Sequence, residues 1–456
     1  MGLSSAMEIG KRGLIIYQVA TEVTGENIAN VNTEGYSRQR VILETSPPTT
    51  HNGFPLGTGV KISTVERYYD SLLQQQLVTA NSASGYDTLC SEVLQQIEPS
   101  FNELTNDGIG SAITNYFQAW EDLSTNASGT TERQVLLSQA QVLVESFNSV
   151  STTLTDTIKA QDSSLTALTA DINNKLTNIA TLNAQIKQTE LVSGNANEMR
   201  DQRDLLVKQL AEQMGIKYTE NADGTTDVYV QDSTPATYYL VQGNQAGSLT
   251  VGGTSPARTV TIDSVSGATK TVDSTLYTAQ DGGTLWATLQ LRDVIIPDYI
   301  DQLDDLASTI ITDVNTQHQA GFDINGDPGA DFFSGTSAAT FSVSITDPNN
   351  IAAAGSSAAA PGGNGNALLI ADLQSGFSIS YNTLVSQIGL DVDQAETVVE
   401  QDEAYLKQLN TLRDSKSGVS LDEELTNLVM YQRSYQASAK LITTVTEMMD
   451  TLLAMV

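Results

Sequence analysis

Between Pro99 and Pro235 the chain has no proline, and from Thr130 to Ser193 it has no glycine either. Both residues are strongly disfavoured inside helices, so their joint absence permits a helix far longer than a globular domain requires. Hydrophobic spacing points the same way. Leu165, Leu168, Ile172, Leu176, Ile179, Leu182 and Ile186 follow one another at steps of three or four, averaging about 3.5 residues, the repeat of a coiled-coil seam. A helix running from Thr131 to Gln213 would extend on the order of 120 Å. The chain is therefore expected to be elongated.

Proline is also absent before Pro47 and after Pro361, which leaves both ends of the chain free to be helical. From Ser420 to Val456, Leu421, Leu428, Tyr435, Ile442, Met449 and Val456 recur at intervals of seven, and Leu425 and Ala439 widen the stripe. Tyr431, Val445 and Leu452 complete the candidate contact set at this end. The N-terminal segment follows the same plan more weakly. Leu3, Met7, Leu14, Tyr17, Ile28 and Val31 share a seven-residue frame that also admits Gly10, Thr21 and Thr24. Two amphipathic helices are expected. Periodicity alone is equally consistent with packing on the chain's own domain and with a seam between subunits.

Between Ile216 and Gly283 short alternating segments such as Thr226 to Val230 and Arg258 to Ile262 are separated by turn-rich clusters, the pattern of a small β domain. Helical spacing returns from Thr284 to Thr316, and a second loop-and-strand stretch, Gly321 to Asn366, is expected to pack on the first. The fold class is mainly α with inserted β: an elongated multi-domain chain with paired N- and C-terminal coiled-coil helices, a long helical-bundle domain and a small outer β domain. Residues 1–65 with 415–456 would form the terminal domain, 66–215 with 284–320 and 367–414 the helical domain, and 216–283 with 321–366 the β-rich domain.

A formal net charge of −32, from 22 basic and 54 acidic side chains, opposes nucleic acid and anionic bilayers as partners. No apolar run approaches the roughly 18 residues of a membrane span. Lys11 and Arg12 precede only a short apolar stretch, Leu14 to Tyr17, so no cleaved secretory signal is expected. The single cysteine, Cys90, excludes an intramolecular disulfide, and no Cys/His cluster is spaced to hold zinc.

Catalytic chemistry finds little support. Neither His51, read as a loop residue, nor His318 lies beside a nucleophile motif. The acidic pairs Asp201/Asp204 and Asp304/Asp305 fall on helical stretches, where they read as solvated faces. Asp323, Asn325, Asp327, Gly329 and Asp331 imitate the start of a calcium loop, but Pro328 replaces its glycine and Ser334 its bidentate glutamate, which leaves a polar turn. Gly362 to Gly365 lacks the third glycine of a dinucleotide motif. Cys90 shares a face with Leu94 and Ile97 and reads as a buried thiol. No catalytic residue, cofactor or metal is expected.

Asn27-Ile-Ala-Asn30-Val-Asn32-Thr-Glu-Gly35-Tyr36-Ser-Arg-Gln39 reads as the end of a helix, with asparagines that tolerate left-handed backbone and a glycine that permits a tight turn. It resembles the N-terminal signature of the bacterial flagellar rod, hook and hook-associated axial family, although members commonly carry proline where this chain has Glu34. Ser417 to Leu428 and Tyr431 to Lys440 resemble the family's C-terminal helix. Tyr36 to Gln39 and the interior stretches Arg67 to Asp70, Asp201 to Leu206, Leu291 to Leu306 and Asp323 to Phe333 resemble its hook-associated members more than its hook or distal rod subunits. The alternatives are another axial subunit, a hook or distal rod protein, and after it an exported cell-wall hydrolase or an adhesin built on such ends.

The resemblance implies an extracellular structural protein of motility, exported by the flagellar type III apparatus without signal cleavage and held by an export chaperone. It implies self-association in a ring, contact with hook protein and with hook-associated protein 3, and a place at the hook-filament junction. Leu3, Met7, Leu14, Asn27, Ile28, Asn30, Val31, Asn32, Gly35, Tyr36 and the C-terminal stripe would carry the subunit contacts.

Overall fold

The structure, a computed structural model, describes residues 2–51, 54–101, 108–192, 194–277 and 281–455. Helix α1 (Leu3–Ala29) is followed by β1 (Gln39–Thr45), β2 (Thr49–His51), β3 (Phe54–Leu56) and β4 (Val60–Arg67). β1 pairs antiparallel with β4, and β2 with β3, so His51 ends a strand rather than lying in a loop. Helix α2 (Ser71–Ile97) starts where the Asp70 carboxylate accepts from the backbone N–H groups of Leu72 and Leu73, satisfying two donors that a helix start leaves free. Next come α3 (Ile109–Thr125), α4 (Thr130–Val192) and α5 (Asn197–Gln213).

The 63 residues of α4 make a rod of about 95 Å. It stops short of the expected Gln213. Gly194 adopts φ +64°, and α5 folds back along α4. Arg200 seals that turn by gripping both oxygens of Glu190 at 2.6 and 2.7 Å. The predicted seam is buried, with Leu165, Ile172, Leu176, Ile179 and Ile186 all at 0% exposure.

The inserted β module forms two antiparallel sheets. β5 (Lys217–Glu220), β6 (Thr226–Gln231), β7 (Thr237–Gln242) and β8 (Gln245–Ala246) pair in that order; β9 (Ser248–Gly252), β10 (Thr259–Asp263) and β11 (Thr269–Thr271) pair as β11-β10-β9. Val228, Val230, Leu240, Val260 and Ile262 join the second half of α4 in one core. Two helical asparagines act as strand surrogates. Asn173 bonds both the N–H and the C=O of Leu249, at 2.7 and 2.9 Å, while Asn183 donates to Thr226 and Gly243 and accepts from the Thr226 N–H. Such fully satisfied buried amides set position as well as stability.

Helix α6 (Gly283–Gln290) passes through a π turn at Leu291–Ile295 into α7 (Ile296–Gln319). Pro297, lacking an N–H, sits just past the widened turn and helps account for it. The stretch after α7 departs from expectation. It contains only β12 (Phe333–Ser334) and β13 (Ser342–Val343), and Phe332, Phe333, Phe341 and Ile345 pack with α3, α7 and the first half of α4 rather than on the β module. Residues 321–366 therefore belong with the helical body, because their aromatic side chains complete its core. In the same stretch the Asp323 carboxylate accepts from the N–H groups of Asn325 and Asp327, closing a polar turn.

Helices α8 (Gly365–Ala371), α9 (Gln374–Ser417) and α10 (Leu421–Ala454) complete the chain. α9 packs on α3 and α7 through Phe377, Tyr381, Leu384 and Ile388, then continues along α2, where Leu409 meets Leu73, Leu77 and Ala80. No helix among the described residues is long and apolar enough to cross a membrane. Cys90 is buried, and that burial pushes its thiol up to about 12, which leaves it unreactive.

Candidate subunit-interaction surface

The two chain ends lie antiparallel against each other as α1 and α10. α1 turns Gly10, Gly13, Ile16, Ala20, Thr24 and Asn27 inward. A Cβ at Gly10 would stand 2.7 Å from Cγ1 of Ile442, and one at Gly13 would stand 2.6 Å from the Ser438 hydroxyl. Glycine is what lets the two backbones come this close, and close approach replaces large side chains as the source of contact. Tyr17 stacks on Tyr431 with ring centroids 6.4 Å apart. The seam thus differs from the predicted frame: Gly10 and Thr24 lie on both, but Gly13, Ile16, Ala20 and Asn27 take the buried places instead of Leu14, Tyr17, Thr21 and Ile28.

Those displaced residues flank the seam. Leu3, Met7, Leu14, Ile28 and Val31 are half-buried, as are Leu428, Tyr431, Ala439, Ile442 and Met449 on α10. Val445 is buried at 3%, while Leu421, Leu425, Tyr435 and Leu452 are 41–53% exposed. Of all α10, only Glu424 and Val445 are buried. Val429, Met430, Leu441, Met448, Leu453 and Met455 add to the uncovered apolar surface. This is more aliphatic surface than α1 alone can cover.

The signature residues form a polar joint. Asn27 is 1% exposed and fully used: its amide N–H group donates to the Gln39 carbonyl at 2.9 Å and to Glu424 at 3.1 Å, while its oxygen accepts from the Gln39 N–H and the Tyr36 hydroxyl. Burial, with Glu26 and Asp201 nearby, raises the Tyr36 phenol well above its ordinary value, so it stays a donor. Arg38 grips Glu424 and Glu423, each at 2.7 Å. Gly35 adopts φ +81° and lies against Leu205 of α5; neither Asn30, which caps α1 at φ −101°, nor Asn32 takes a positive φ.

From this joint the contacts run into the helical body. The Ser37 N–H donates to Asp201 at 2.8 Å, Gln39 donates to Glu198, and Asn197 donates to the side chain of Gln39. Arg67 of β4 reaches both Asp201 and Asp204 at 2.7 Å. Burial alone would lower its pKa, but the two carboxylates outweigh that and raise it, so the guanidinium stays charged. Glu424, Arg38, Asp201, Arg67 and Gly13 escape the sequence reading as contact residues, whereas Gly10 already lies on its seven-residue frame. A polar or small residue carries no hydrophobic signal, and its partner lies hundreds of positions away.

Against known families, residues 94–333 match the model of the flagellar hook-associated protein FlgK helical domain, more than half of the chain. The chain belongs to the FlgK family of flagellar hook-associated proteins. Its ends match as well, residues 7–36 to the flagella basal body rod protein model and 413–455 to the flagellar basal body rod FlgEFG protein C-terminal model. Flagellar hook-associated protein 1 of Bacillus subtilis (strain 168) is 28% identical over 97% of this chain and 96% of its own length. The protein of that name from Escherichia coli (strain K12) is 27% identical over 99% and 100%. The flagellar hook junction protein FlgK from Burkholderia pseudomallei shares the fold, with a TM-score of 0.66 at 17% identity over 75% of this chain and 100% of that one. As a FlgK-family member the chain is a structural component of the flagellum, outside the cell, that associates with itself and with other flagellar components, and it is not an enzyme.

Proposed function

We propose that this protein joins the flagellar hook to the filament, copies of it assembling through α1 and α10 into a short ring between hook protein and hook-associated protein 3. The observation that carries the reading is the one-sided coverage of α10, a 34-residue helix that buries only Glu424 and Val445 within its own chain. An amphipathic helix in water gains most of its stability from burying its apolar face, and neighbouring copies supply the missing cover. Residues 1–65 with 415–456 form the wall of the tube, 66–215 with 284–320 and 367–414 stand outside it, and the β module of 216–283 lies outermost. The chain leaves the cell through the flagellar export apparatus without signal cleavage, with a chaperone covering α10 until assembly.

Deleting the protein and viewing cells by electron microscopy tests the position: hooks without filaments, with flagellin shed into the medium, are expected, whereas missing hooks would place the protein in the rod or hook. The surface is tested by Leu425→Asp with Leu452→Asp. Both side chains are exposed, at 51% and 53%, so the change spares the α1 contact. The double variant should fold, reach the medium and fail to join hooks; normal filaments on such cells would overturn the reading.

A further inference from the structure

A helix that packs on one side normally turns its charges to the water on the other. α9 does the reverse. Its buried side chains Phe377, Tyr381, Leu384 and Ile388 join the core of α3 and α7, and at about 100° per residue the opposite side carries Ile379, Thr383, Leu390, Gln401, Tyr405 and Leu412. The first 17 residues of α9, Gln374 to Leu390, hold no charged side chain, and the ten charges that follow all fall off this line. Ile379 and Leu390 are 67% and 62% exposed. An open groove between α7 and α9, lined by Leu306, Thr309, Thr383 and Leu384, borders the stripe. Leu412 closes it, nine residues before Leu421, where the uncovered apolar side of α10 begins.

The same body has a second outward stripe of this kind. α4 and α9 both pack on α3 and α7, and among the described residues they do not pack along each other. The first third of α4 turns Val135 and Val142 outward, 44% and 43% exposed, in line with Ser138, Ser149 and Thr153. Its charge, Glu145, is hydrogen-bonded by Gln141.

We propose that the α9 stripe of one copy packs against the α4 stripe of the next, forming a second seam outside the α1–α10 wall; this rests on the ring assembly proposed above. A ring needs each copy to present two different faces, one to each neighbour, because a face that pairs with itself closes at a dimer. α9 and α4 supply two such faces on one body. Chains of net charge −32 repel one another, and uncharged stripes are where two of them meet at least electrostatic cost. The centre of a protein–protein contact is depleted of charge and enriched in aromatic side chains, as the α9 stripe is with Tyr405.

A photo-crosslinking amino acid in place of Leu390, in the full chain assembled on cells, tests the seam. Illumination should join two copies, with the captured peptide of the second copy lying within residues 131–153. Capture of a different protein, capture of another part of a second copy, or no capture in cells that carry filaments would overturn the proposal. Ile379→Asp with Leu390→Asp gives a functional reading, since both side chains are exposed and the body should stay folded. This double variant should join hooks about tenfold less well or worse, because its new carboxylates would be buried in the seam without a cation. Normal attachment of this variant alongside failure of Leu425→Asp with Leu452→Asp would overturn the α9–α4 seam and leave the ring reading standing. Normal attachment of both variants would overturn the ring reading and the seam with it.

Discussion

Asn27 donates a 3.1 Å hydrogen bond to Glu424, joining the last turn of the first helix to the first turn of the last one across 397 residues. The bond stands at the only buried carboxylate of α10, where Arg38 takes the other oxygen and Asp422, Glu423 and Glu424 together suit the positive end of the helix dipole. One residue therefore ties together both chain ends and, through Gln39 and Ser37, the helical body.

Glu424→Ala should be the most damaging single change in this joint. It removes one of the two acceptors of the buried Asn27 amide and the buried one of the two carboxylates that hold Arg38, which keeps Glu423, at a cost of about 1–3 kcal/mol. Hydrogen exchange should accelerate in the last turn of α1 and the first two turns of α10. Glu424→Gln, which keeps an acceptor for Asn27, should do less. Equal exchange in wild type and Glu424→Ala would show that the joint does not hold the pair.

Gly10→Val tests the close approach of α1 and α10. The new Cβ would sit 2.7 Å from Ile442, and a β-branched side chain cannot retreat along the helix. Overpacking of this kind costs about 1–3 kcal/mol, so the helices should part near Ile442 while the body stays intact. Double mutation to Gly10→Val with Ile442→Ala should recover part of the loss. Thermal unfolding followed in the α1–α10 pair would show a lowered midpoint for the single variant and a partial return in the double.

The large-scale plan was legible because it rests on patterns that survive in one dimension. The proline- and glycine-free run became α4, and Leu165 to Ile186 became its buried seam. The break at Gly194 was visible as a glycine, yet the sequence alone could not say that α5 turns back there. The terminal stripes were read from their largest apolar residues. The true seam runs through Gly10, Gly13 and Ser438, since close packing of two backbones selects small residues and leaves Leu14 and Leu428 at the margin. Phe332, Phe333 and Phe341 were assigned outward with the β module, whereas the aromatic pocket that receives them, with Tyr116, Trp120 and Phe147, is assembled from helices distant in sequence.

Asn183 should prove to be the anchor of the β module. It is fully buried and makes three backbone hydrogen bonds to the strands and turns beside it, plus one from Arg203 at 3.2 Å. Asn183→Leu has nearly the same size but can replace none of them; Arg203 keeps Gly224 and Glu220, while the Thr226 and Gly243 backbone groups lose their partner, at a cost of about 2–4 kcal/mol. Limited proteolysis should cut within 216–283 while the helical body resists. Cleavage at the wild-type rate would assign the anchoring to Asn173 and the apolar core instead.

His318 makes the helical body sensitive to acid. The ring is 0% exposed, its Nε2 accepts from the Ala352 N–H at 2.8 Å, and its Nδ1 therefore carries the proton and donates to the Ala330 carbonyl at 2.6 Å. Both nitrogens are satisfied only when the ring is neutral. Burial, the largest cause, lowers its pKa to about 4 from an ordinary 6.5. Above pH 6.5 the ring is neutral in both folded and unfolded chains, and the stabilisation is complete. As the pH falls toward 4 the unfolded chain takes up the proton first, and about 3 kcal/mol is lost, with no further loss from this group below that. Carboxylates titrate in the same range, so the comparison is with His318→Gln, in urea unfolding of the body at pH 7, 5.5 and 4. The advantage of wild type over the variant should shrink steadily across that series. A difference that is the same at all three pH values would mean that the ring accepts its proton without leaving the fold.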